Sequence, residues 1–217
     1  MTKYATYQDR MTVDIPEGEV DGLRVERFEV TGLELWYLKQ ELRYGRGTKP
    51  GTYTKLVDTV NLDHKGNPTL WMSDTDAEKH DHLQAVAQIR LAKAERVLIN
   101  GLGIGMVLAA ALSFKHVRHV DVVEYDERVI KLVGPHYLKD HRVRIHHADA
   151  YEQVHVWPAR AQWDVAWSDV WPDISDDNIP GMDQLHKYYK RHATWHGCWA
   201  RRECLKLRRE LDVLGIK

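Results

Sequence analysis

Arg96-Val97-Leu98-Ile99-Asn100-Gly101-Leu102-Gly103-Ile104-Gly105-Met106-Val107-Leu108 is the stretch on which the reading of this chain turns. Its first five residues have an apolar centre and the length of a short buried strand. Gly101, Gly103 and Gly105 follow at alternate positions. Glycine allows the torsions of a sharp strand-to-helix turn and lets a ligand lie against the main chain. The apolar run from Met106 to Phe114 reads as a helix. Its free amides and positive dipole end would face that ligand. The plain alternative is a glycine-rich turn that binds nothing.

Outward from this turn, strand and helix alternate. His119 to Glu124, Val143 to His146 and Trp163 to Ser168 read as strands, and Glu127 to Val133 as a helix. Such βαβ alternation implies a parallel sheet with right-handed crossovers. The expected fold is therefore α/β, a Rossmann-like parallel sheet with helices on both faces. Beyond Asp169 a Pro- and Asp-rich loop runs from Trp171 to Pro180, then helical patterns cover about Met182 to His192 and Trp199 to Leu214. No strand is expected there, so the C-terminal strands read as truncated and the tail as helical.

Residues 1–72 read as a separate β-rich region, ahead of a cofactor-binding domain over 73–217. Leu23 to Val30 alternates at period two, Thr52 to Val60 is β-branched, and Thr69 to Met72 is a short third strand after a turn at 63–68. Leu33 to Leu42 fits either strand or helix, and Gly45 to Gly51 reads as a loop. Ser73 or Asp74 is the expected cap of a helix carrying Leu83, Val86, Ala87 and Leu91.

The acids at the strand ends carry the chemistry. Glu124 closes the second strand about 20 residues beyond the glycine turn, where an acid can accept from both ribose hydroxyls. Asp126 is the alternative acceptor, or the cap of the helix from Glu127. Dinucleotide enzymes use GxGxxG; here the sixth position is Met106. That spacing leans toward S-adenosylmethionine. Asp149-Ala150, after the third strand, adds to the lean, because an acid there can accept from the adenine amino group; a turn or cap role for Asp149 stays open. Asp169 follows the fourth strand, and ligands in open α/β sheets lie beyond such ends. It could balance a sulfonium, bind an amine, or act as a base. Asp173 is its candidate catalytic partner. Trp171 could stack on substrate or simply pack.

These residues resemble the spermidine synthase branch of the class I S-adenosylmethionine-dependent methyltransferases, from about Tyr53 to Tyr189. "RVLINGLGIGMVL" is similar to that family's first strand and turn, "VDVVEYDERVI" to its ribose-binding segment, "RVRIHHADAYE" to its adenine-side segment, and "DVAWSDVWPD" to its active-site loop. "LWMSDTDAEKHDHL" resembles the passage between the hairpins and the first core helix. The resemblance implies that Gly101, Gly103, Glu124 and Asp149 line the cofactor. It implies that Asp169 is the active-site aspartate and that Asp76 lies near the transferred group. Departures are as informative. Tyr53-Thr54-Lys55 stands where aminopropyltransferases carry Tyr-Gln, Asp76-Ala77 where they carry Asp-Glu, and the acid after Asp169 is displaced by one, to Asp173. The acids that grip a polyamine are thus incomplete. Methyl transfer to an unidentified acceptor, small or macromolecular, is accordingly the first expectation. Aminopropyl transfer from decarboxylated S-adenosylmethionine is the second, and a non-catalytic binding module the third. A nicotinamide oxidoreductase is disfavoured by Met106 and Asp149. The segment from "WPDI" to "HKYYKRHATWHGCWARREC" resembles methyltransferases predicted in actinobacterial phages, which would place the protein in a host cytoplasm.

Composition narrows the partners. The 217 residues hold 31 Lys plus Arg against 32 Asp plus Glu. Net charge therefore gives no indication of nucleic-acid binding, though Arg201-Arg202 and Lys206 to Arg209 form a basic tail. The sequence has no apolar run long enough for a membrane span and no signal-like start, so a soluble cytoplasmic protein is expected. Cys198 and Cys204, the two cysteines, suit a reducing compartment and are read as inert thiols in a helical tail. The His80/His82, His146/His147 and His192/His196/Cys198 groups do not have good metal-ligand spacing, so no metal is expected. An uncovered sheet edge could pair with a second copy as a homodimer.

Overall fold

The computed structural model describes residues 5–31 and 47–215, and two sheets organise them. The region expected to hold Leu33 to Leu42, together with Gly45 and Arg46, lies outside the described residues.

The first sheet is antiparallel, in the order β1 (Gly18–Val20), β2 (Leu23–Val30), β3 (Gly51–Leu62) and β4 (Pro68–Ser73). The alternation read in the sequence sets its inward face: Leu23, Val25 and Leu56 are fully buried. A short helix that the sequence did not announce, α1 (Ala5–Arg10), precedes it. Two helices follow it, α2 (Asp76–Asp81) and α3 (Leu83–Leu91), broken at His82. The residue at the N-cap of α2 is Thr75, not Ser73 or Asp74. Asp74 is instead buried as a joint, accepting from the Thr54 amide at 2.6 Å and the Val13 amide at 3.2 Å.

The second sheet is parallel throughout, in the order β7 (Val143–His147), β6 (His119–Glu124), β5 (Arg96–Asn100), β8 (Trp163–Ser168) and β9 (Ala193–Cys198). Numbered along the chain this is 3-2-1-4-5, the doubly wound Rossmann-like order. Helices α4 (Met106–Leu112), α5 (Glu127–Tyr137), α6 (Ala150–Val156), α7 (Ile179–Tyr189) and α8 (Arg201–Leu214) complete the chain. Alternate residues of one strand serve opposite faces. Val97 and Ile99 of β5 enter the core shared with α3, α4 and α5, whereas Leu98 enters the core under α6 and α7.

β9 corrects the sequence reading. Ala193 to Cys198 is a fifth strand, paired in register with Trp163 to Ser168, and Cys198 therefore lies on a strand rather than in a helical tail. No helix among the described residues is long and apolar enough to cross a membrane.

The sheets are tied by α5. Arg128 in its first turn donates to Asp58 Oδ2 of β3 at 3.0 Å and grips Asp126 through Nη2 at 2.7 Å. Asp58 is wholly buried, and its guanidinium partner lies over the Trp71 ring. Burial works to raise the Asp58 pKa, but hydrogen bonds from Asn61, Val60 and Arg128 outweigh it and hold the carboxyl at about 2.

Candidate active site

In a 3-2-1-4-5 sheet the chain leaves β5 toward one side and β8 toward the other, which opens a crevice at their carboxyl ends. The glycine turn and Asp169 meet in that crevice. The Asp169 amide donates to the Asn100 carbonyl at 2.8 Å, and the Gly101 amide donates to the Val123 carbonyl at 2.7 Å. Gly101 adopts φ +96°, and a Cβ there would lie 2.0 Å from the Asp169 carbonyl oxygen. Only a residue without a side chain lets the two strand ends approach so closely.

Gly103 is crowded from the other sheet. A Cβ on it would lie 2.1 Å from Met72 Sδ, and that sulfur accepts from the Ile104 amide at 3.3 Å. Met72 thus reaches from the end of β4 over the turn. Gly105 is the last residue before α4.

Glu124 ends β6 beside the turn. Its Oε2 accepts from the Leu102 amide at 2.7 Å and its Oε1 from the Asp126 amide at 2.8 Å. Those bonds fix the carboxylate while leaving each oxygen a further lone pair. Asp126 is committed elsewhere: it caps α5 through the Arg128 amide at 2.8 Å and holds the Arg128 guanidinium. Asp149 caps α6, accepting from the Tyr151 amide at 2.6 Å, and Ala150 is the buried first residue of that helix.

Asp169 shares the crevice with residues the sequence did not single out. The cleft is lined by Met72, His82, Gly101, Leu102, Trp167 and Asp169, among others. His82 is 3% exposed, and its Nε2 lies 3.7 Å from Asp169 Oδ2. Desolvation raises the Asp169 pKa first, and the charges of Glu78, Asp81 and Glu124 add to it, bringing it to about 7. Burial drives the His82 pKa the other way, to about 4. Burial thus works against charge on both groups, keeping the imidazole neutral and holding the Asp169 carboxyl toward its protonated form.

The remaining expected residues lie around this centre. Tyr53 of β3 and Asp76 of α2 come together, with the phenol oxygen 3.5 Å from Asp76 Oδ2 and donating to the Lys49 carbonyl at 2.8 Å. Desolvation, followed by the Asp76 charge, pushes the Tyr53 pKa up to about 12. The α2 acids whose charges bear on Asp169 are Glu78 and Asp81. Asp173 is exposed in the loop after β8, its carbonyl taken by Asn178 Nδ2 at 2.8 Å. Trp171 packs against two apolar clusters, one under α6 and α7 and the other around Met182 and Cys204. Among the described residues no three His, Cys, Asp or Glu side chains gather as a metal-ligand set.

No family model matches the chain. A polyamine aminopropyltransferase of Prochlorococcus marinus strain MIT 9313 is 34% identical over 132 residues, which is 57% of this chain and 44% of that protein. A second, from Prochlorococcus marinus subsp. pastoris, is 30% identical over 139 residues, 60% of this chain and 49% of that protein. The chain thus spans about half the length of the curated relatives it matches. Among solved structures, Thermotoga maritima spermidine synthase aligns with 82% of this chain and 52% of its own at 20% identity and a TM-score of 0.47. An SAH-bound Podospora anserina methyltransferase aligns with 53% of this chain and 50% of its own at 17% identity and a TM-score of 0.39.

Proposed function

We propose that this chain carries an alkyl-transferring site for a sulfonium nucleoside, and that from decarboxylated S-adenosylmethionine it passes the aminopropyl group to an amine, with methylthioadenosine as the leaving group. The observation that carries the reading is Asp169 at the switch point, surrounded by the charges of Glu78, Asp81 and Glu124. Such a field favours a ligand bearing more than one positive charge. Decarboxylated S-adenosylmethionine carries a sulfonium and an ammonium without a carboxylate to oppose them, and a di- or polyamine adds further cations. The two curated relatives support the same direction.

The residues fit such a ligand. Glu124 presents its remaining lone pairs beside the glycine turn, where ribose hydroxyls would donate to them. Asp149, at the start of α6, is the candidate for the adenine side. When bound, the sulfonium supplies a carbon primed for displacement by a neutral amine. Asp169 accepts the proton that the amine gives up, and the acids of α2 hold its distal ammonium. Positioning supplies much of the rate in such a displacement. Met72 and Trp167 line the cleft with apolar surface that restricts water.

Methyl transfer, the first expectation from the sequence, is the second reading. Ala77 stands where an acid would complete the amine grip, and Asp173 is exposed in its loop. The products separate the two. Incubation with each cofactor and a panel of diamines, followed by mass spectrometry, is expected to yield methylthioadenosine and an amine extended by an aminopropyl group. Release of S-adenosylhomocysteine with a methylated acceptor would overturn aminopropyl transfer in favour of methyl transfer. Absence of a thermal shift with either cofactor would overturn both.

A further inference from the structure

His82 is poorly explained as a packing residue. It sits at the break between α2 and α3, is 3% exposed, and meets the Trp167 ring edge-on with centroids 6.0 Å apart. Its Nδ1 is buried without a hydrogen-bond partner. A leucine or phenylalanine would fill comparable space without stranding a polar atom in the core, and stranding one is costly. What the imidazole offers that an apolar side chain does not is Nε2, which faces Asp169 Oδ2 across 3.7 Å. Local rules of this kind are commonly broken where function requires it.

We propose that His82 is the positioning residue of Asp169: an uncharged imidazole whose Nε2–H dipole, 3.7 Å from Oδ2 and so outside hydrogen-bond length, is near enough for its field to orient the carboxylate toward the cleft and favour the ionised, proton-accepting form. The catalytic part of the proposal rests on Asp169 being the proton acceptor in the reading above. Among the described residues, charged and titratable groups act on Asp169 from three elements. Glu78 and Asp81 come from α2, Glu124 from β6, and the Cys198 thiol from β9 lies within electrostatic reach. All three acids favour protonated Asp169, so a donor opposing them sets how much of it is ionised at neutral pH. His82 stays neutral there, because burial holds its own titration near 4. It therefore supplies a directed N–H without adding a charge that would repel a cationic substrate.

The test pairs His82→Leu with His82→Gln and His82→Asn. A glutamine amide reaches toward the Nε2 position and retains a donor, whereas an asparagine amide mimics Nδ1. Carbon-13 NMR of the Asp169 carboxyl, in free protein, reads the titration directly. In His82→Leu the midpoint is expected to move up by about one unit, and turnover at pH 7 to fall about tenfold. The Michaelis constant for the cofactor should hold. Glutamine should restore both readouts and asparagine neither. An Asp169 titration unchanged in His82→Leu would overturn the proposal, as would equal behaviour of the glutamine and asparagine variants. If the leucine variant does not fold, the glutamine–asparagine contrast decides. A wild-type protein that turns over neither cofactor would sink the transferase reading, while the carboxyl titration would still judge His82.

Discussion

Asp169 lies one residue beyond β8, and its carboxyl is desolvated enough to hold a proton up to about pH 7. A folded pKa raised above the carboxylate norm means that the base form is gained as pH rises through that value. Turnover should therefore climb from pH 6 to 8 and level off, which a pH series of initial rates will check. Asp169→Asn keeps the shape and removes the base, and should cost about 10²- to 10⁴-fold in kcat. A loss smaller than tenfold would mean that the amine loses its proton elsewhere. Gly101 is constrained differently. With φ at +96° and the Asp169 carbonyl in the way, Gly101→Ala should destabilise the protein by about 1–3 kcal/mol. Urea unfolding measures that loss, and an unchanged midpoint would argue against so close an approach. The places of Glu124, Asp169 and the glycines in the fold were legible because strand ends are a positional rule, readable once the strands are found. His82 was not. Its importance arises from a helix break that turns it inward toward a residue 87 positions away, and nothing local in Lys79-His80-Asp81-His82 announces that turn.

Among the elements, β5, β6 and β8 declared themselves through short apolar centres, Val97 to Ile99, Val122-Val123 and Val165 to Trp167, as strands buried on both faces do. β9 did not. Ala193-Thr194-Trp195-His196-Gly197-Cys198 contains no Val or Ile, and among the described residues it pairs with β8 alone. Its fit comes from tertiary neighbours: Trp195 stacks on Trp167 with ring planes 5° apart, and His196 Nε2 is 3.1 Å from Ser168 Oγ. α1 was missed for a similar reason, since a six-residue helix lacks enough periodicity to register and is held by packing. At the start of α5, Arg128 links a helix cap to a fully buried carboxylate. Arg128→Met would keep much of the packing over Trp71 and leave Asp58 without its guanidinium. Removing one partner of a buried pair typically costs about 3–5 kcal/mol. The remaining hydrogen bonds from Asn61 and Val60 should keep the loss near the lower figure. Chemical denaturation of the variant tests this, and a cost below 1 kcal/mol would show the bridge to be peripheral.

On the scale of the whole molecule, the two sheets differ in kind, one antiparallel and local in its pairing, the other parallel and built from crossovers. The sequence distinguished them by period alone. It could not indicate how they are joined, because the joint is made of tertiary contacts: Met72 over the glycine turn, a shared apolar core, and a helix that serves both sheets. α5 packs on β6 and β7 of its own sheet and on β1 and β2 of the other, with Leu132 close against Gly18 and Arg128 reaching Asp58. A helix shared in this way has a thermodynamic consequence. Neither sheet can melt without exposing the apolar stripe of α5 and stranding the charge beneath it, so the heat capacity trace should show one endotherm. Its calorimetric enthalpy should equal the van't Hoff value, the mark of an all-or-none transition. In Arg128→Met the coupling is loosened, and the trace should broaden or split, with the antiparallel sheet melting first.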